Sequence, residues 1–212
     1  MIVRAVVPCH LEAPDPALLE RIGDAVDGVL VVDDGLSPAE TGRLDGADVL
    51  RLGGNHGKGT AVAHGVRAAV ADGADAVLVI DGDGQHPPAA IPAFLAAARE
   101  AELVIGNRFG DLRGIPLVRR AANLAASGAM AVVARRRVAD TQCGMRLMRG
   151  RALHDVPPPP GGFEAETLHL KRCLRAGVPV AWVPIPAIYD GEQSSFKALR
   201  DGAQVARALV AG

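Results

Sequence analysis

Charge of one sign is what this chain lacks: 23 lysines and arginines stand against 24 aspartates and glutamates over 212 residues, a formal net charge of -1. Without a basic surplus there is no electrostatic footprint for a nucleic-acid partner. Cysteine is scarce too. Cys9, Cys143 and Cys173 are too few and too scattered for a disulfide framework or a zinc cluster, and they suit a reducing cytoplasm. Long apolar runs are missing as well. The opening MIVRAVVPCH is interrupted by Pro8 and His10 short of a secretory signal. The longest charge-poor helical candidate, AANLAASGAMAVVA from Ala121 to Ala134, falls short of the roughly 20 residues that cross a bilayer.

Three familiar phosphate and metal loops are also absent. A Walker A loop needs glycine five positions before Gly57-Lys58 and Ser or Thr directly after, but Leu52 and Gly59 stand there. An EF-hand reading of Asp81 onward fails at its fifth and sixth positions, which are Gln85 and His86. The segment after the first strand, PCHLEAPDP, has neither glycine nor lysine, which argues against a sugar nucleotidyltransferase with a basic Gly-rich loop there.

What the chain does have is enough apolar sequence, 49%, to fold around one substantial core. Short apolar strands are expected at Ile2–Val7, Gly28–Val32, Val49–Leu52, Ala76–Ile80, Leu103–Ile105 and Val178–Val183. Helical spacing falls at Pro16–Ala25, Lys58–Asp72, Ala89–Arg99, Pro116–Val133, Glu164–Ala176 and Ser195–Val210. This alternation predicts a single α/β domain over 1–212 with a mostly parallel sheet covered by helices on both faces. Ligands in such sheets gather beyond the carboxyl ends of the strands, where Asp33, Asp34, Asp81, Asp83, Asn107 and Arg108 follow apolar runs. VPPPPGG, Val156 to Gly162, reads as a surface loop or lid margin.

The pair Asp81 and Asp83 is separated by one glycine at the end of the clearest strand. Residues two apart in extended chain face the same way, so both carboxylates can approach one divalent cation that carries phosphate oxygens. The rival reading is a plain D-G-D-G turn with side chains bonded to the backbone. His86, beside Pro87, reads more readily as a surface histidine than as a ligand. Lys58, flanked by glycines at a helix start, is placed to lie beside a nucleotide.

In order along the chain, VVDDG (31–35), NHGKGTA (55–61), VIDGDGQHPP (79–88), GNRF (106–109), DTQCGMR (140–146), FEAE (163–166) and GVPVAWVPI (177–185) resemble family 2 glycosyltransferases of the GT-A type. The likeness is greatest to the branch of dolichyl- and other polyprenyl-phosphate sugar synthases. That resemblance implies a GT-A-like fold with a nucleotide-sugar-binding half, 1–108, and an acceptor-binding half, 109–212. It places Pro8, Glu12, Asp33, Asp34 and Lys58 around the donor nucleotide, together with Asp81. It places Asp81, Asp83 and Gln85 around Mg2+ or Mn2+, and Arg108 and Arg119 against donor and acceptor phosphates. Asp140 and Gln142 mark the acceptor-side loop, and Glu166 the carboxylate of the F-E-x-E helix. Rival readings remain: Asp140 as a turn cap, Arg119 as a solvated helix end, Glu166 as a partner of Lys171 or Arg172. Two departures, Leu11 at a usual asparagine and Leu36 inserted before Ser37, lie around the base pocket and leave UDP and GDP both open.

The reaction so implied moves a sugar from a nucleoside-diphosphate sugar to a polyprenyl phosphate, with inversion. A phosphate monoester is already anionic near neutral pH and needs cations more than a base. A hydroxyl on a saccharide or small polar acceptor would need a carboxylate base, for which Asp140 and Glu166 are the candidates. A non-catalytic nucleotide-sugar-binding module is the remaining alternative. The expected location is cytoplasmic, with peripheral contact at the inner face of the membrane through the helix flanked by Arg119, Arg120 and Arg135 to Arg137 or through the C-terminal helix; the rival reading of the former is a core helix with solvated basic ends, and a homo-oligomer is compatible with the sequence.

Overall fold

The computed structural model describes residues 1–110, 124, 127–132, 134 and 136–188. Among these, seven strands form one sheet: β1 (Val3–Cys9), β2 (Gly28–Asp33), β3 (Asp48–Arg51), β4 (Ala76–Val79), β5 (Leu103–Asn107), β6 (Arg146–Arg149) and β7 (Val180–Pro184). Their order is β3-β2-β1-β4-β6-β5-β7. Neighbours are parallel except β6, which runs against both β4 and β5. Consecutive residues Ala5, Val6 and Val7 are fully buried, as are Val77 and Leu78, so the sheet is covered on both faces.

Helices connect the strands: α1 (Pro16–Gly23), α2 (Pro38–Gly42), α3 (Lys58–Ala71), α4 (Ile91–Ala97), α5 (Arg151–His154) and α6 (Glu164–Arg175). Asp15 caps α1 by accepting from the Ala17 amide, with Pro16 at the first helical position, where a missing N–H costs nothing. Helix α6 carries Glu164 and Glu166 in its first turn and Arg172 and Arg175 in its last, in the sense that complements the helix dipole.

Helix α3 lies directly on the sheet because of one glycine. A Cβ on Gly65 would fall 2.5 Å from Val6 and 2.7 Å from Val32, so only glycine lets the helix backbone approach β1 and β2 this closely. The long helix expected over Pro116–Val133 lies mostly outside the described residues; residues 127–132 are helical. The tail helix at Ser195–Val210 and Arg119 also fall outside them.

Strand β6 and the short helices α2 and α5 are not among the expected elements. The antiparallel direction of β6 has a functional consequence. The parallel strands bring their carboxyl ends to one edge of the sheet, whereas β6 brings its amino end there, with Arg146 opposite Val79 and Ile105. The loop from Asp140 to Met145 is thereby delivered to the same edge as Asp34, Asp81 and Arg108.

Candidate active site

At this edge Lys58, the first residue of α3, holds two carboxylates from distant parts of the chain. Its Nζ lies 2.8 Å from both oxygens of Asp81, donating to Oδ2, and 2.9 Å from Glu166 Oε1. The Phe163 ring sits 5.8 Å from the ammonium, within cation–π range. Burial opposes the charge on Lys58, but the two carboxylates outweigh it and its pKa is raised. Burial likewise would lift the Asp81 carboxyl, yet Lys58 foremost among its neighbours brings it below the usual carboxylate range. Glu166 therefore pairs with Lys58 and not with the helix neighbours Lys171 or Arg172.

Space for this arrangement comes from a residue with no side chain. A Cβ on Gly144 would lie 2.3 Å from Asp81 Oδ2, so the DTQCGMR loop can cover the carboxylate only with glycine there. Beside it, His86 is buried, not on the surface as expected, because Cys143 packs against it from a loop far along the chain. His86 Nε2 is 3.7 Å from Cys143 Sγ, and Nδ1 faces Asp81 Oδ2 at 3.6 Å. Burial lowers its pKa, with Asp81 opposing and the charges of Lys58 and Arg108 adding to the fall.

Asp83 is exposed on the turn and accepts from the Gln85 amide at 3.0 Å through Oδ1. The turn reading of D-G-D-G is thus realised for one oxygen. Its carboxyl is raised nonetheless, by desolvation and then by the charge of Asp81. Crowded carboxylates of this kind suit a cation.

Asp140 is fully buried and gripped by Arg108, whose Nε donates to Oδ2 at 2.8 Å and whose Nη2 donates to Oδ1 at 3.1 Å. This is a two-pronged guanidinium–carboxylate pair. Asp140 Oδ1 also accepts from the Gln142 amide at 3.0 Å, so the turn-cap reading holds as well. Arg146, which the sequence reading does not single out, is buried behind the loop and bonded to three carbonyl oxygens.

At the end of β2, Asp34 accepts from the amides of His56 and Gly57 at 2.8 and 3.0 Å, and Asp33 accepts from those of Gly35 and Leu36 at 2.9 and 2.8 Å. Asp33 is thus fixed by its own turn, and Asp34 by the distant loop that leads into α3. His10 bonds the Asp34 carbonyl through Nδ1 and Asn55 through Nε2. Pro8 lies within β1 and Glu12 is exposed just beyond it, next to the exposed Leu11. The proline-rich loop is not free of the body: Thr60 N and Oγ1 both donate to the Gly161 carbonyl, at 3.0 and 3.4 Å. Val62, Val79, Met148, Pro158, Pro159 and His169 line a recess behind Lys58 and Glu166.

Two buried atoms bear on cation binding. Asp81 Oδ1 lies 2.8 Å from the Lys58 ammonium without an aligned hydrogen bond, and His86 Nδ1 makes no hydrogen bond and faces Asp81 Oδ2 at 3.6 Å. Asp81, Asp83 and the Gln85 amide are hard oxygen donors of the kind that Mg2+ and Mn2+ take. Among the described residues, no three His, Cys, Asp or Glu side chains gather closely enough to hold a metal by themselves. The residues fit a cation completed by ligand oxygens.

An open α/β sheet with acidic groups and basic partners at its carboxyl edge is the architecture of GT-A glycosyltransferases. The fold matches glucosyl-3-phosphoglycerate synthase from Mycobacterium tuberculosis, solved with Mn2+, uridine diphosphate and phosphoglyceric acid, with a TM-score of 0.74 at 21% identity over 99% of this chain and 77% of that one. It also matches mannosyl-3-phosphoglycerate synthase from Rubrobacter xylanophilus, with a TM-score of 0.72 at 22% identity over 99% and 72%. Residues 5–156 match the model of glycosyl transferase family 2, and the chain belongs to that family of enzymes. The undecaprenyl-phosphate mannosyltransferase of Micrococcus luteus is 31% identical over 99% of this chain and 92% of its own length.

Proposed function

We propose that the enzyme transfers a sugar from a nucleoside-diphosphate sugar to a polyprenyl phosphate. The observation that carries this reading is the state of the two candidate bases. Asp140 is clamped by Arg108 and Glu166 by Lys58, so neither carboxylate stands ready to deprotonate a hydroxyl. A phosphate acceptor, already anionic, needs no such base. The likeness to an undecaprenyl-phosphate mannosyltransferase over nearly the whole chain supports the same acceptor class.

In this reading residues 1–108 hold the donor, with Asp33 and Asp34 toward base and ribose and Pro8 and Glu12 beside them. Residues 109–212 meet the acceptor, with Arg119 toward its phosphate. Asp81, Asp83 and Gln85 hold a divalent cation, as the Mn2+ and Mg2+ found with uridine diphosphate in the fold's solved relatives support. When bound, that cation supplies positive charge to the leaving diphosphate. Lys58 keeps Asp81 ionised and aimed at the site, and Arg108, anchored on Asp140, adds positive charge where two phosphate-bearing substrates meet. A phosphate oxygen of the acceptor attacks the anomeric carbon and the nucleoside diphosphate leaves, with inversion.

No helix among the described residues is long and apolar enough to cross a membrane. Peripheral contact at the inner face of the membrane is supported by Leu124 and Val132, 48% and 79% exposed on the helical stretch flanked by arginines.

The test offers the purified protein a panel of UDP- and GDP-sugars with MnCl2 or MgCl2. The acceptors are a short polyprenyl phosphate, simple saccharides and phosphoglycerate. Transfer to the lipid phosphate alone is expected; transfer to saccharide or phosphoglycerate with none to the lipid phosphate overturns the reading.

A further inference from the structure

Arg146 is only 3% exposed, and among the described residues no carboxylate forms an ion pair with it. Its donors go instead to backbone oxygens: Nε to Cys143 at 2.8 Å, Nη2 to Thr141 at 2.7 Å and Nη1 to Glu166 at 2.6 Å. The first two partners belong to the loop that carries Asp140 and Gln142. The third is the first turn of α6, the residue whose side chain meets Lys58. One planar fork therefore spans two segments that share no strand pairing. Arg146 itself is fixed at the amino end of β6, opposite Val79 and Ile105.

A buried guanidinium is an expensive way to close a loop unless its geometry is needed, because desolvating the charge must be offset bond by bond. Three carbonyls in different directions match a rigid fork with separate donors; a lysine ammonium cannot reproduce that plane. We propose that Arg146 is a positioning residue for transfer. Its guanidinium sets the separation between the acceptor-side loop at Asp140 to Cys143 and the α6 turn that holds Glu166, and through Glu166 it sets Lys58 and Asp81. The role rests on the transferase reading above.

The experiment compares wild type, Arg146→Lys and Arg146→Ala with MnCl2, the donor that wild type turns over, and a short polyprenyl phosphate. It reads transfer, donor hydrolysis without transfer, donor KM, and thermal unfolding. A displacement of reacting groups by about an ångström lowers kcat on the order of 100-fold, so transfer by Arg146→Lys is expected to fall on that scale. Donor KM is expected to stay near the wild-type value, and the ratio of hydrolysis to transfer to rise. Methylguanidinium added to Arg146→Ala is expected to restore part of the transfer rate. Should the alanine variant not fold, the lysine variant reads the same partition. Wild-type transfer with an unchanged hydrolysis-to-transfer ratio in a folded Arg146→Lys overturns the Arg146 role alone, as does a loss of activity that only parallels lost stability. A wild type that transfers nothing to the polyprenyl phosphate overturns the proposed function on which the role rests.

Discussion

Gly144 and Asp81 are in such close contact that a Cβ at residue 144 would lie 2.3 Å from the carboxylate oxygen Oδ2. Gly144→Ala must push the carboxylate or the loop away. Overpacking of this kind costs about 1–3 kcal/mol, and here it also displaces a group assigned to the cation. Thermal unfolding is expected to show the destabilisation and Mn2+ binding to weaken. A variant with wild-type stability and wild-type Mn2+ affinity would show that Asp81 is not held where the contact places it.

Removing Lys58 leaves Asp81 and Glu166 facing one another without their shared cation. A fully buried pair broken in this way loses more, but the Lys58 side chain keeps 18% exposure, so Lys58→Met is expected to cost about 2 kcal/mol, the scale of hydrogen bonds to charged groups. For a chain of this length that is a fall in Tm of roughly 4–8 °C. An unchanged Tm would mean that the pairing contributes nothing net.

His169 predicts an acid limb in stability. Its Nε2 donates to the Val156 carbonyl at 2.8 Å, and burial, with the Arg146 charge behind it, lowers its pKa from 6.5 to about 4. The unfolded chain therefore binds the extra proton first, and stability falls as pH drops from 6.5 toward 4 while remaining complete above 6.5. The loss reaches about 3 kcal/mol at 1.36 kcal/mol per unit. Urea unfolding at stepped pH is expected to show this slope in wild type and a shallower one in His169→Gln. Identical slopes would remove His169 as its source.

Asp83→Asn is expected to lower turnover by about two orders of magnitude, the scale of losing one electrostatic stabiliser, with little change in Tm because Asp83 is exposed. Full turnover by Asp83→Asn, or by wild type in excess chelator, would remove the metal role.

The parallel strands whose carboxyl ends meet at the site are legible in sequence because each is a continuous apolar run buried from both sides, as at Ala76–Ile80. Strand β6 is not: Arg146 and Arg149 bracket only Leu147 and Met148, and its burial comes from β4 and β5 rather than from its own pattern. Asp81, Arg108, Asp140 and Glu166 are legible as polar residues in ordered motifs. That Arg108 grips Asp140, or that Lys58 joins Asp81 to Glu166, is a consequence of strand order across long sequence separations. His86 reads as exposed beside Pro87 for the same reason, since the residue that covers it, Cys143, arrives with the antiparallel strand.

Both carboxylates that could serve as a base are held in ion pairs, so the proposed acceptor is one that is already an anion. The most direct measurement compares initial rates with a short polyprenyl phosphate and with the matched polyprenol, which differs only in presenting a hydroxyl, using the same donor and Mn2+. Transfer to the phosphate and none to the alcohol is expected. Equal or faster transfer to the polyprenol would contradict it, because Asp140 or Glu166 would then have to leave its cation and act as a base.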